Sequence, residues 1–314
     1  MRLDRTTTAA RLFAALLFPA LVCAAREASA FCRTMSQSVD PSFTPTPEQP
    51  CWTGGNPLYW KNACVGYSIQ ENASKQVSFD DAARVKAAAF SQWANASCPT
   101  TTAGSSKASI DVRFLGAVTC HQVQYNQNGG NANVIMFDDD GWPHNDSNNT
   151  LGLTTVTYNK TTGELYDADM ELNTAQASLT VNGDVPPDGF DFQSIVTHES
   201  GHFLGLAHSP DAHATMFAHY SQGSTSMRNL AADDVQGICT IYAPDGTRST
   251  TDGALPEGPC DPTPRHGYSG SCGGGGGCSA SPGVPTSAWS FGTWGALVGL
   301  VAMALGRRAR CRAR

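Results

Sequence analysis

The sequence predicts one mixed α/β (α+β) domain, flanked by two ends that do not belong to its folded core. Three patterns indicate this class. Residues 79–93 carry an apolar stripe at helical spacing, residues 110–118 alternate as a strand does, and residues 150–158 and 164–173 flank a hairpin loop. Helices and strands therefore share one domain, and the chain shows no internal repeat.

The first half of the domain is expected to contain a strand, a helix and two further strands. Residues 64–70 look like a first strand. The helix at 79–93 opens with acidic residues and is rich in strong helix formers, and its apolar stripe comprises Ala82, Val85, Ala89 and Trp93. The alternating segment 110–118 and the short apolar run 133–137 add two strands.

The second half contains the hairpin and two helices. A Pro/Gly cluster at 183–188 precedes a helix that begins near Asp191, and a last helix covers 231–242. Beyond it the chain is rich in Gly, Pro, Ser and Thr, a composition that is not expected to bury a core. We therefore expect the folded domain to cover residues 61–244 and a stalk to cover residues 245–287.

The N-terminal end has the pattern of an export signal. Residues 1–30 combine arginines, an apolar run and a final Ala-Ser-Ala, which predicts a signal peptide cleaved before Phe31. Residues 31–60 begin with a stretch rich in Ser, Thr and Pro that lacks periodicity. We interpret them as a lead-in segment or a short propeptide.

The C-terminal end has the pattern of a membrane anchor. Residues 288–306 are apolar and uncharged over the length of one transmembrane span, and a basic tail at 307–314 follows directly. Basic residues tend to remain on the cytoplasmic side of a membrane, so the rest of the chain is expected to lie outside.

The charge distribution argues against nucleic acid as a partner. The chain has 20 basic and 27 acidic residues; without the nine arginines and two acidic residues of the ends, residues 31–306 retain 11 and 25, a net charge of −14. Such an acidic surface repels nucleic acid.

The cysteines agree with export, because disulfides are typical of an oxidising compartment. Nine of the 11 cysteines lie between the two ends. Proximity along the chain suggests two pairs: Cys51 with Cys64, and Cys98 with Cys120. Nine is an odd number, so one cysteine is left over, and Cys278 is the candidate. The alternative bonds Cys278 to Cys272 across the intervening glycines.

One short segment holds five of the eight histidines of the chain, between residues 198 and 219. His198 and His202 are four apart and therefore project from the same face of a helix. Gly205 permits a left-handed turn after the helix, which can bring His208 to the same ion. Three nitrogen ligands with an open fourth position are typical of catalytic Zn²⁺.

Glu199 lies between the two helical histidines. Beside a water on such a metal, a glutamate serves as the general base that takes the proton and passes it to the leaving amine. The alternative is a solvated charge on a helix. Met216 follows in a short loop and is expected to pack under the metal, whereas His213 and His219 are expected to lie at the surface or behind the ligands.

The extended motif resembles the signature of the metzincins, His-Glu-x-x-His-x-x-Gly-x-x-His followed by a methionine. Within that group the chain resembles the matrixins. Ser209 follows the third histidine as it does in matrixins, and Tyr220, four residues after Met216, matches the tyrosine in the wall of the matrixin S1′ pocket. Ala218 stands where astacins and serralysins carry a metal-ligating tyrosine.

The resemblance implies a fold and a reaction. Matrixins have a twisted, mostly parallel sheet with an antiparallel edge strand over the cleft, an active-site helix and a C-terminal helix, whose paired acidic positions match Asp233 and Asp234 here. A protein or peptide substrate would lie against the edge strand, at 150–156. The implied activity is that of a zinc-dependent endopeptidase.

The chain departs from animal matrixins at two metal sites. The strands that hold a second, structural zinc in those proteins contain no histidine here, so one zinc is expected. Asp167, Asp169 and Glu171 resemble the calcium-binding acidic cluster of the family; the alternative is the solvated face of a strand. Ala218 also replaces the proline that is usual after the methionine.

The C-terminal arrangement of Cys278, apolar span and arginines resembles a sorting signal of myxobacterial exported proteins, in which the cysteine marks the anchoring point. These features together favour an exported, surface-anchored zinc endopeptidase. The alternative is a catalytically silent surface adhesion module that contains zinc. A protein ligand in the fourth coordination position would favour that alternative.

Overall fold

The computed structural model describes residues 31–99, 106–272 and 287–288. The predicted signal peptide, the basic tail, Cys278 and all but the first residue of the predicted anchor lie outside the described residues. Within the described ranges, no helix combines the length and the apolar composition that a membrane span requires.

The fold contains three α-helices among the described residues: α1 (Phe79–Ala94), α2 (Phe192–Phe203) and α3 (Ala232–Ile241). A 3₁₀ turn at Ser226–Arg228 precedes α3. The described strands are, in chain order, β1 (Cys32–Arg33), β2 (Cys64–Gln70), β3 (Asp111–Val118), β4 (Val134–Phe137), β5 (Gly152–Tyr158), β6 (Leu165–Leu172), β7 (Leu179–Thr180), β8 (Phe190–Asp191), β9 (Leu206–Ala207), β10 (Tyr242–Ala243), β11 (Thr247–Thr250), β12 (Gly253–Pro256) and β13 (Ser287–Ala288). Each strand and helix predicted from sequence patterns is confirmed within two residues.

The main sheet confirms the predicted architecture. Its strands follow the order β13-β5-β6-β4-β2-β3, in which β3, β2, β4 and β6 run parallel. The edge strand β5 pairs antiparallel with β6, and the two residues of β13 pair antiparallel with the outer side of β5. The sheet is therefore mostly parallel with an antiparallel edge, as expected.

Helix α1 packs its predicted stripe against the sheet and α2. Ser78 caps it by accepting a hydrogen bond from Asp81 N, and Ala82, Val85, Ala89 and Trp93 are buried. Burying each large apolar side chain contributes about 1.5–3 kcal/mol. The Trp93 indole N–H also donates to Thr197 O in α2 at 2.8 Å, which fixes the two helices in register.

Both flanking segments pack on the domain more extensively than the sequence suggested. Residues 31–60 contribute β1, which pairs with β9, and buried side chains such as Leu58 and Trp60.

The expectation of a stalk from residue 245 is wrong for residues 245–272. Arg248 is fully buried, and its guanidinium donates to Trp60 O and Asn62 O. Hydrogen bonds and two disulfides, rather than a large apolar surface, hold this segment to the domain.

The disulfides connect distant parts of the chain. The four bonds are Cys32–Cys51, Cys64–Cys260, Cys98–Cys239 and Cys120–Cys272. The two pairs suggested by proximity are wrong, because the C-terminal segment and α3 bring later cysteines to Cys64 and Cys98. The alternative bond between Cys272 and Cys278 is also wrong, since Cys272 is bonded to Cys120.

Candidate active site

Helix α2 presents the predicted ligands from the buried centre of the domain. Asp191 caps its N-terminus by accepting from Ser194 N at 2.9 Å. The helix ends at Phe203, and Gly205 two residues later has a φ of +96°, the left-handed conformation expected there. A Cβ at this position would also approach Leu58 O to 2.9 Å. The turn then carries the chain back to His208.

The three histidines converge on one point. Their candidate ligand atoms lie within 4.8 Å of one another, and Nε2 of His198 is 3.1 Å from Nε2 of His202. Nδ1 of His198 donates to Thr215 O at 2.7 Å, and Nδ1 of His202 donates to Leu206 O at 2.8 Å. These bonds place the protons on Nδ1, so both Nε2 lone pairs face each other.

This donor set fits a zinc ion. Burial lowers the pKa of His202 to about 4 and the pKa values of His198 and His208 well below the ordinary range, so all three rings are neutral. Nε2 of His208 is buried without a hydrogen-bond partner among the described residues. Facing lone pairs repel each other unless a cation lies between them, and backbone bonds to the far nitrogens are typical of zinc ligands.

Glu199 is fully buried on the side of α2 that faces the edge strand. Its Oε2 accepts a hydrogen bond from Thr154 Oγ1 at 2.7 Å, whereas Oε1 has no partner among the described residues. Burial raises the pKa of Glu199 to about 8, against the opposing bond from Thr154. The interpretation of Glu199 as a solvated charge is therefore wrong.

Sequence patterns did not identify Gly152 and Thr154 as part of this site. A Cβ at Gly152 would lie 2.9 Å from Oε1 of Glu199, so only glycine leaves room for the carboxylate. Thr154 looks like any β-branched residue of a strand. A Gly at the start of a predicted edge strand was the available signal, since such glycines often mark a close approach.

Met216 packs against helix α2. It is buried, and a Cβ at Gly201 in α2 would overlap its Sδ. Asp234 holds the loop by accepting from Met216 N at 3.0 Å and Thr215 N at 2.7 Å. The loop therefore fixes both the packing of Met216 and the carbonyl that orients His198.

Tyr220 lies at the N-terminal end of α2. Its hydroxyl accepts from Asp191 N at 2.9 Å and donates to Ser224 O, and its ring packs against Phe190. Burial raises the pKa of Tyr220 to about 12. His213 and His219 are exposed, in agreement with their interpretation as surface residues.

The three candidate calcium ligands lie on β6 and are buried, so the interpretation as a solvated face is wrong. Asp167 and Asp169 share a hydrogen bond, and burial raises the pKa of both carboxyls. Asp169 also accepts from Val134 N at 2.8 Å. Glu171 instead accepts from His144 at 2.8 Å, so the structure brings together two of the three carboxylates.

Comparisons with known proteins agree with this geometry. A family model described as matrixin matches residues 59–243. Human neutrophil collagenase is 27% identical over 211 residues, 67% of this chain and 39% of that protein. Matrix metalloproteinase-C of Caenorhabditis elegans is 24% identical over 204 residues, 63% of this chain and 31% of that protein. Human matrilysin is 40% identical over 63 residues, 20% of this chain and 22% of that protein. The chain spans less than half the length of these relatives.

Proposed function

Because this chain belongs to the matrixin family, we propose that it is an exported zinc endopeptidase whose metal is held by His198, His202 and His208. One observation carries the proposal. Three neutral imidazoles direct their Nε2 atoms at one point, and the buried carboxylate of Glu199 lies on the same helix. A purely structural histidine cluster has no need for such a carboxylate.

The metal, Glu199 and Thr154 would have different roles in the hydrolysis of a peptide bond. Bound zinc supplies a Lewis acid that polarises the scissile carbonyl and lowers the pKa of water. Glu199 accepts the proton of the attacking water and delivers it to the nitrogen of the leaving amine. Thr154 occupies Oε2 of Glu199, which leaves Oε1 for the proton transfer.

The substrate is a peptide strand that pairs with the outer side of β5. Strand β13 of the same chain supports this, since it pairs there with Leu153 and Thr154. An extended peptide in that position gains main-chain hydrogen bonds that do not depend on its sequence. A peptide in this position also passes close to Glu199, because the carboxylate of Glu199 is hydrogen-bonded to Thr154 of β5. Tyr220 would contribute to the adjacent substrate pocket.

A fourth protein ligand at the metal would favour the adhesion alternative. Within the part of the chain that the structure describes, the group of candidate ligands at this point consists of the three histidines alone. An open fourth position favours catalysis over a structural role.

Export and anchoring form part of the same proposal. Four disulfides support an oxidising compartment. The apolar composition of residues 288–306 supports attachment to a membrane at the cell surface.

The decisive experiment supplies purified protein with equimolar zinc and an unfolded protein substrate. We expect cleavage that a chelator abolishes and added zinc restores. Glu199→Ala should lower kcat by roughly 10²–10⁴-fold, the usual contribution of a general base. Glu71→Ala removes an exposed carboxylate elsewhere and should leave cleavage unchanged. Absence of cleavage by zinc-loaded protein, or full activity of Glu199→Ala, would contradict the proposal.

A further inference from the structure

Strand β13 occupies part of the sheet edge that the proposed substrate needs. An edge strand exposes a row of N–H and C=O groups with which another strand can pair. Here Ser287 lies opposite Thr154 and Ala288 lies opposite Leu153, in antiparallel pairing on the outer side of β5. The strand that covers this edge is therefore a part of the same chain, and it follows the folded domain in the sequence.

The paired residues of β5 flank the proposed general base. The hydroxyl of Thr154 donates to Oε2 of Glu199 at 2.7 Å, and a Cβ at Gly152 would lie 2.9 Å from Oε1 of the same carboxylate. Leu153 lies between these two residues. An edge strand pairs with one further strand at a time, so β13 and an external peptide cannot both pair with β5 beside Glu199.

The tether of β13 begins close to the folded domain. Cys272 is fixed to the domain by its disulfide with Cys120. The 14 residues 273–286, of which six are glycine, connect Cys272 to Ser287. A short tether of such composition holds its end near a site on the same molecule at roughly millimolar effective concentration. Pairing within the chain can therefore compete with a free substrate although it involves few hydrogen bonds.

The charge of this part of the chain also favours the contact. Residues 273–306 include no charged side chain, whereas residues 31–306 as a whole carry a net charge of −14. An acidic domain repels an acidic strand but not an uncharged one. The segment thus approaches β5 without an electrostatic cost.

The pairing is short, so a longer strand can displace it. Strand β5 runs from Gly152 to Tyr158, and β13 pairs with two of its seven residues. Pro285 precedes Ser287 by two residues, and a proline cannot donate a hydrogen bond to a strand ladder, which limits the pairing in that direction. A peptide that pairs along all of β5 forms more main-chain hydrogen bonds than β13 does.

We infer that the segment around Ser287 and Ala288 is an intramolecular competitive inhibitor, which must leave β5 before an external peptide can pair there. The effect on activity rests on the proposed peptidase function. The contact itself does not depend on that function and can be measured separately.

The diagnostic variant is Ser287→Pro/Ala288→Pro in the zinc-loaded, full-length chain. Two prolines remove both main-chain N–H groups of β13 and should free the edge of β5. We expect KM for a peptide substrate to fall by roughly two- to tenfold, the range for one hydrogen bond, while kcat stays unchanged. Mass spectrometry before and after the assay establishes that the chain is intact.

The matched control is Ser279→Pro/Ala280→Pro, because the same Ser-Ala dipeptide occurs in the tether. It introduces the same two prolines at positions outside β13. Both kinetic constants should equal those of the native chain.

Amide hydrogen exchange measures the contact without relying on activity. Successive residues of a strand direct their N–H groups to opposite sides, so one of Leu153 and Thr154 directs its N–H toward β13. In a Glu199→Gln background, which prevents cleavage, that amide should exchange roughly two- to tenfold faster when the prolines are at 287 and 288. The control prolines should not change its exchange.

Each outcome decides one of the two proposals. An unchanged KM for the β13 variant, or equal effects of both variants, would overturn the inhibition and keep the peptidase. Self-cleavage beside Ala288 would make the segment a substrate and would likewise overturn the inhibition. Faster exchange in the β13 variant alone, with no cleavage by any of the chains, would establish the contact and overturn the peptidase on which its inhibitory effect rests.

Discussion

Thr154 holds the carboxylate of Glu199, our proposed general base, in place. Its hydroxyl donates to Oε2 of Glu199, and both side chains are buried. A hydrogen bond to a charged group contributes about 1.5–3 kcal/mol, more than a bond between neutral groups. The residue is therefore expected to affect catalysis although it does not touch the metal.

We expect Thr154→Val to lower kcat by roughly tenfold to a hundredfold, because the buried carboxylate loses its one described partner and its orientation. Bound zinc should remain at one equivalent, since the ligands are untouched. Thr155→Val, at the next position of β5, is the control and should retain full activity. Steady-state kinetics with metal analysis test this, and an unchanged kcat for Thr154→Val would refute it.

Lys86 is a fully buried amine on the inner face of α1. Its Nζ lies 2.6 Å from Sδ of Met170, a weak acceptor that compensates little of the lost hydration. Burial lowers the pKa of Lys86 well below its ordinary value, and attraction to Glu199 opposes that shift. The folded state therefore disfavours a proton that the unfolded state retains up to about pH 10.5.

We expect Lys86→Met to stabilise the fold by about 1–4 kcal/mol, the range seen when apolar residues replace buried ions. The sign of the pH dependence follows from the lowered pKa: the cost of Lys86 is absent above pH 10.5 and grows as the pH falls. The stabilisation by Lys86→Met should thus be larger at pH 7 than at pH 10. Urea unfolding measures it, with exposed Lys160→Met as the control, and destabilisation by Lys86→Met would refute it.

Strand β6 carries three buried carboxyl groups. Asp167 and Asp169 lie two residues apart and therefore on one face of the strand, and Oδ1 of Asp167 has no partner among the described residues. A bound cation would replace the proton that this pair shares and allow both carboxyls to ionise. Calcium, which prefers carboxylate oxygens, is our proposed ligand.

We expect calcium to raise the melting temperature of the zinc-loaded protein, because an ion that binds the native state but not the unfolded state stabilises the protein by mass action. Asp167→Asn should abolish the calcium effect, whereas Asp184→Asn, which alters an exposed carboxylate, should not. Differential scanning calorimetry distinguishes them. An equal response of all three proteins would contradict a site on β6.

The C-terminal segment, residues 245–272, is bonded to distant parts of the domain. Residues 245–272 contribute the buried Arg248 and two disulfide partners, Cys260 and Cys272. A disulfide that closes a long loop contributes about 2–4 kcal/mol, mostly by restricting the unfolded chain. The two bonds close loops of 196 and 152 residues. This segment is thus part of the stable domain.

We expect a chain of residues 31–272 to fold and a chain of residues 31–244 to fail, because the shorter one lacks Arg248 and leaves Cys64 and Cys120 without partners. Near-ultraviolet circular dichroism and resistance to a second protease test the difference. A folded, active 31–244 chain would restore the stalk interpretation.

We further expect chelation of zinc to abolish activity while the fold persists, and reduction of the disulfides to unfold the chain. The reason is that the metal joins α2 to an adjacent turn, whereas the disulfides join the two ends of the domain. Circular dichroism after each treatment is the measurement. Unfolding on chelation and stability on reduction would contradict this account.

Local sequence patterns were sufficient to predict the helices, the main strands and the three histidines that converge. Apolar periodicity located α1 and the strands within two residues, because side chains at helical or alternating spacing must share a buried face. The spacing of His198, His202 and His208 was enough to predict that the three side chains meet, since the four-residue repeat and Gly205 are local geometry.

Contacts between residues far apart in the sequence could not be predicted from local patterns. The disulfide pairs, the bond from Thr154 to Glu199, and the burial of Arg248 and Lys86 join residues on elements whose packing no local pattern specifies. The pairing of β13 with β5 likewise joins segments that are far apart in the chain. Local periodicity constrains each element, whereas these contacts depend on how the elements pack together.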